Sequence, residues 1–168
     1  MGVQDHKEAA SGLTGLRAAV LTVSDTRTEE TDESGKLMIE LIEAQGHIVS
    51  SYRILKNEPE AVRTAVSELA QEVDFLITTG GTGMSPRDLS IEACRPLFTK
   101  ELEGFGDVFR LLSFQEIGSA AILSRATAGS VGRAMLFCLP GSKAAVRLAC
   151  ERLILPEIKH LLAQVRKA

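Results

Sequence analysis

Three apolar runs, each followed by a polar loop and then by a stretch of helical spacing, constrain this chain more tightly than any other feature. Residues 16–23 (LRAAVLTV) are mostly apolar and read as a buried strand. Residues 48–55 are rich in β-branched and aromatic side chains, and residues 73–78 form a third such run. Between them, Leu37, Met38, Leu41 and Ile42, with Gly46 as a stop, predict a helix over 34–45. Ala61, Val62, Ala65, Val66, Leu69 and Ala70 predict an amphipathic helix. Its start, Asn57-Glu58-Pro59-Glu60, offers Asn57 as the cap and a proline in the first turn. Strand, helix, strand, helix, strand at this spacing requires parallel pairing through right-handed crossovers.

The second half is less regular. Residues 90–98 and 104–114 read as helical pieces. Residues 121–127 and 133–139 flank Ala-Gly-Ser-Val-Gly, which predicts a hairpin with its turn at 128–132. Pro140-Gly141-Ser142 opens a helix running to Cys150, and Pro156 opens a last helix ending near Val165. Gly104 and Gly106 flank Phe105, which fits either a helix break with a core phenylalanine or a turn admitting a flat ligand. Periodicity does not decide between them. The expected fold is α/β, a single domain over 16–168. It has a mostly parallel sheet, helices on both faces and a small late hairpin, with residues 1–15 a flexible tail.

Composition removes several functional classes. The chain has 168 residues, 45% hydrophobic and 24% charged, and a formal net charge of −3. This is the balance of an ordinary globular domain, without the basic footprint of a nucleic-acid binder. Cys94, Cys138 and Cys150 form no CxxC and lie far in sequence from the histidines, so buried reduced thiols are expected rather than zinc ligands. The N-terminus lacks the apolar segment of a secretory signal, and no run approaches the roughly 18 residues of a membrane span. A soluble, cytoplasmic protein is expected, with neither nucleic acid nor membrane as partner.

The polar loops fall where a ligand would be held. Ser24-Asp25 follows the first strand, Lys56-Asn57 the second, Thr79–Gly83 the third, and Pro140-Gly141-Ser142 the late strand. In an open parallel sheet these junctions share one edge, where ligands bind. Thr79-Gly80-Gly81-Thr82-Gly83 can turn backbone N–H groups toward a phosphate with no side chain in the way. No Gly-Lys-Ser/Thr follows, as a Walker loop requires, and Pro86 stands where GxGxxG needs its last glycine. A tight turn without ligand explains the pentapeptide equally well. Asp88 suits either a cap on the helix near Ser90 or a Mg²⁺ ligand beside phosphate. Asp25 suits either an Asx-turn or a metal or hydroxyl contact. Arg87 has no assigned role.

Taken together, these blocks name a family. Ser24-Asp25-Thr26, Asp32-Glu33-Ser34-Gly35, Thr79–Gly83, Arg87-Asp88 and Leu139-Pro140-Gly141-Ser142 stand in the order and spacing of one family. Over roughly 16–165 the chain resembles the molybdenum cofactor biosynthesis proteins of the MoaB and MogA branches and the G domain of gephyrin. The stretch from Glu103 to Gly118 is similar to the MoaB branch in particular.

The resemblance implies a three-layer domain that binds molybdopterin. In active members it implies adenylylation of the terminal phosphate with Mg-ATP and release of pyrophosphate. By motif, Asp88 matches the acid needed for catalysis, through Mg²⁺ carried by ATP. Thr79, Gly80, Gly81, Thr82 and Gly83, with Ser85, match the phosphate loop. Ser24, Asp25, Pro140, Gly141 and Ser142 match rims of the pterin and nucleotide pocket. One position departs. The MogA branch ends its second strand in Pro-Asp, whereas here Lys56-Asn57-Glu58 stands, leaving uncharged Asn57 and, one residue on, Glu58 as candidates. The alternative to an adenylyltransferase is therefore a non-catalytic molybdopterin carrier. A nucleotide-processing protein of the CinA kind is opposed by the MoaB-like middle section. The family's habit also implies a homotrimer or homohexamer, and other proteins of cofactor biosynthesis as partners.

Overall fold

The computed structural model describes Ala10 and residues 12–167. Most of the tail expected over 1–15 lies outside the described residues. Among the described residues, six strands, numbered along the chain as β1 (Arg17–Val23), β2 (Ile48–Leu55), β3 (Phe75–Thr79), β4 (Lys100–Glu101), β5 (Thr127–Val131) and β6 (Ala134–Leu139), form one sheet in the order β2-β1-β3-β6-β5-β4. Strands β1, β2, β3 and β6 run parallel to their neighbours in that set. Strand β5 is antiparallel to β6, and β4 is antiparallel to β5.

Alternation along the central strands builds two cores. Ala18 and Val20, Phe75 and Ile77, and Met135, Phe137 and Leu139 point to one face. Ala19, Leu21 and Val23, Leu76, and Leu136 and Cys138 point to the other. Both faces are buried, which is why these strands read as continuous apolar runs rather than alternating ones. Helix α1 (Glu33–Ala44) covers the first face with Leu37, Met38 and Ile42. Helix α2 (Pro59–Leu69) covers the second with Val62, Ala65, Val66 and Leu69. The chain leaves β1 toward β2 on one side and later crosses to β3 on the other. The order therefore reverses between β1 and β3, opening a crevice at their C-terminal ends.

Several local expectations need correction. Asn57 does not cap α2: Glu58 occupies the N-cap position, and no side chain makes the capping bond. Asp88 does not cap the helix at Ser90 either. Helix α3 (Ser90–Cys94) has Leu89 at its N-cap, and a 3₁₀ turn (Arg95–Leu97) containing Pro96 ends it before Phe98. The hairpin turn sits at Gly132, with φ of 58°, and Ala128-Gly129-Ser130 are strand. Residues 121–123 belong instead to a 3₁₀ segment (Gly118–Leu123). Gly129 is needed for close packing: a Cβ there would lie 2.5 Å from Phe98 and 2.7 Å from the Lys100 carbonyl.

Helix α4 (Glu103–Ile117) contains Gly104 and Gly106 in its first turn. Phe105 is buried, stacks on Phe109 and meets Phe137 edge-on, so it is a core residue. Helix α5 (Lys143–Ala149) passes through a π-helical stretch (Cys150–Ile154) into α6 (Leu155–Val165), so Pro156 opens a helix without breaking the chain direction. All three cysteines are free and buried, and burial pushes the Cys150 thiol up to about 12.

Candidate functional site

The crevice between β1 and β3 is a cleft of about 350 Å³. Four loop groups named from the sequence reach it: Ser24 and Asp25 after β1, Asn57 after β2, Thr79 at the end of β3 with Gly80 and Gly81 after it, and Gly141 after β6. Thr82, Gly83, Ser85 and Asp88 continue the third loop outside the lining, as do Pro140 and Ser142 beside Gly141 and Glu58 beside Asn57.

The glycine loop is bent by backbone conformations that only glycine adopts freely. Gly80 has φ of 92° and Gly81 φ of 65°. A Cβ on Gly80 would lie 2.3 Å from the Val23 carbonyl, and one on Gly81 would lie 2.3 Å from Ser90 Oγ and 2.5 Å from Asn57 Oδ1. The bend is fastened on both sides. The Gly80 N–H donates to the Leu139 carbonyl at 3.0 Å, and Thr79 Oγ1 donates to the Pro140 carbonyl at 2.9 Å. Ser90 Oγ donates to the Gly80 carbonyl at 2.8 Å. Further on, Arg125 Nη1 donates to the Gly83 carbonyl at 2.9 Å and its guanidinium pairs with Glu92. Asp88 closes the loop by accepting from the Ser85 N–H at 3.2 Å.

The opposite wall is the loop after β1. Ser24 Oγ accepts from the N–H groups of Thr26 at 3.3 Å and Arg27 at 3.2 Å, a Ser turn that fixes the exit from the strand. Asp25 reaches across instead of closing its own turn. Its Oδ1 accepts from the Asn57 N–H at 3.0 Å, and its Oδ2 lies 3.0 Å from the Arg87 guanidinium. The Asn57 backbone bond, with Arg87 adding to it, holds this carboxyl below its ordinary range against a smaller opposing effect of burial. Arg87 thus tethers the third loop to the first. Asn57 Oδ1 is buried and has no hydrogen-bond partner among the described residues.

Thr22, Asp32 and Ser34 also belong to this wall, although the sequence offers Asp32 and Ser34 only as part of a family block and Thr22 no role. Asp32 is 1% exposed and caps α1 by accepting from the Gly35 N–H at 3.0 Å. Its other oxygen accepts the hydroxyls of Thr22 and Tyr52, each at 2.6 Å. Burial, and then the bond to Asp32, raise the Tyr52 pKa well above its ordinary value of about 10. Ser34 Oγ donates to the Gly141 carbonyl at 2.8 Å, joining this wall to the loop after β6. The signal available was Asp32 as an N-cap directly before a helical pattern. Thr22 was masked by the apolar run around it.

A mostly parallel, doubly wound sheet with a glycine-lined cleft at its switch point defines a class of α/β protein whose ligands bind at the C-terminal edge of the sheet. The chain belongs to the family described as "Probable molybdopterin binding domain", whose model matches residues 19–160. It is 49% identical over 170 residues to the molybdenum cofactor biosynthesis protein B of Bacillus subtilis, with 99% of each chain covered. A crystal structure of a molybdenum cofactor biosynthesis protein B is similar at 47% identity and a TM-score of 0.88, covering 92% of this chain and 98% of that one. The tungsten cofactor synthesizing protein MoaB from Pyrococcus furiosus superposes at 38% identity and a TM-score of 0.83, covering 93% of this chain and 100% of that one. The resemblance read from the motifs and the α/β fold expected from it both hold.

Proposed function

We propose that the cleft binds molybdopterin and Mg-ATP, and that the chain transfers AMP to the terminal phosphate of the pterin. The observation that carries this reading is the convergence of the Gly80-Gly81 bend with Ser24, Asn57 and Gly141 in one cleft at the switch point. In the transfer, a phosphate oxygen of the pterin forms a bond to the α-phosphorus of ATP. The bond from that phosphorus to the bridging oxygen breaks, and pyrophosphate leaves with the electron pair. No covalent enzyme intermediate is needed, so positioning and charge stabilisation supply the rate.

The chain's own residues suit that task. The glycine bend lets backbone approach phosphate without a side chain intervening. Ser24 Oγ accepts two N–H groups, which leaves its own proton to donate to a ligand oxygen. Mg²⁺ arriving with ATP would offset the repulsion between two anionic substrates. Asp88 and Asn57 Oδ1, the latter unpartnered among the described residues, are hard oxygen donors of the kind Mg²⁺ accepts. Asp88 is proposed as the acid acting through Mg-ATP.

A second reading, a non-catalytic molybdopterin carrier, draws on Asn57, which brings an amide where the MogA branch brings a carboxylate. Incubation with molybdopterin and Mg-ATP separates the two. Adenylylated pterin together with released pyrophosphate is the expected result. Tight molybdopterin binding with neither product would overturn the transfer and leave the carrier.

A further inference from the structure

Among the described residues, three charged side chains line the cleft: Asp25, Arg27 and Asp32. Both carboxylates are already satisfied. Asp25 faces Arg87 and the Asn57 N–H, while Asp32 accepts from Thr22, Tyr52 and Gly35. Arg27 differs. Its Nη1 donates to the neutral Thr31 carbonyl at 2.7 Å, and among the described residues no carboxylate pairs with it. A guanidinium carries five N–H donors, so several remain for a ligand.

The side chain is also held in place. The Arg27 N–H is fixed by Ser24 Oγ, and the bond from Nη1 to Thr31 spans the loop, which Thr28 and Thr31 tie a second time through the Thr28 N–H and Thr31 Oγ1 at 2.9 Å. A cation with no counter-charge among the described residues, braced on the wall of a cleft whose acids are engaged, is complementary to an anion.

We infer that Arg27 is a ligand-binding residue whose guanidinium grips a phosphoryl oxygen of the molecule held in this cleft. The inference rests on the reading of the cleft as a site for phosphorylated ligands. The phosphoryl oxygen belongs either to the pterin phosphate or to the nucleotide polyphosphate, and separate titrations tell these apart.

Wild type, Arg27→Gln and Arg27→Lys are titrated calorimetrically with molybdopterin, with Mg-ATP and with inorganic pyrophosphate. Arg27→Gln should weaken at least one of these by about tenfold or more, the loss expected for a charge-assisted bond. The affected titration identifies the source. Arg27→Lys, which keeps the charge, should recover part of the affinity. Wild-type affinities for all three in Arg27→Gln would overturn the inference. So would equal losses in Gln and Lys variants, because the residue would then only shape its loop. If wild type binds pyrophosphate through Arg27 but not molybdopterin, the proposed function fails while the role of Arg27 stands. If wild type binds none of the three, both fail.

Discussion

Tyr52 is the only tyrosine in a chain without tryptophan, so the state of its hydroxyl can be read directly from the ultraviolet spectrum. In the folded protein, burial and the bond to Asp32 keep the phenol protonated above its ordinary pKa of 10. The unfolded chain has no such restraint. The contribution of this bond to stability is therefore complete below pH 10 and is lost as pH rises from there toward the folded value. We expect the phenolate band to appear together with loss of helical circular dichroism, and a phenolate titrating near 10 in a folded protein would refute this. Tyr52→Phe, which leaves a buried carboxylate short of one donor, should lower stability by about 1–3 kcal/mol in denaturant titration. Gly81 is constrained differently. With φ of 65° and a Cβ directed onto Ser90 and Asn57, Gly81→Val should abolish molybdopterin binding. Strain alone should also cost it about 1–3 kcal/mol of stability. Asp88→Asn keeps an acceptor for the Ser85 N–H but loses the charge. It should bind molybdopterin at least as well as wild type yet form little adenylylated product, and an unchanged transfer rate would remove Asp88 from the chemistry.

Helices and strands differ in how openly the sequence announces them. The βαβαβ half was legible almost to the residue, because both its periodicities and its glycine and proline stops come from local chemistry. The hairpin was misplaced because Gly129 looks the same whether it turns a chain or makes room for Phe98. Only the partner strand distinguishes the two. The same limit applied at the cleft. Ser24, Asp25, Asn57 and Gly80 were found because strand ends share one edge. The bridge from Asp25 to Arg87 and the burial of Asp32 depend on where side chains point after folding. Ser142, expected from the sequence to start helix α5 and by resemblance to border the pocket, shows an element-scale role. Its Oγ accepts the Ala145 N–H at 3.1 Å and caps α5. Ser142→Ala should cost about 1 kcal/mol in urea unfolding, and an unchanged midpoint would show that the cap contributes nothing.

On the scale of the whole molecule, one surface is out of keeping with a chain that stands alone. Leu111, Phe114 and Ile117 on α4 are 58%, 57% and 56% exposed, and Ile122 and Leu123 in the following 3₁₀ segment are 80% and 63% exposed. Their neighbours on the same helix, Phe105 and Phe109, are buried in the core, so one face of α4 is already satisfied and a second apolar face remains uncovered. Fully burying a side chain of this size is worth about 1.5–3 kcal/mol, so several together could sustain association between chains. Family resemblance supplies the stoichiometry of three or six, and cyclic closure allows the same patch to be used by every copy. We expect light scattering at micromolar concentration to give a trimer or hexamer. Phe114→Glu, which places a charge within the patch, should shift the population to smaller species without lowering helical content. A wild-type monomer under those conditions would mean that the exposed face of α4 serves something other than a second copy of this chain.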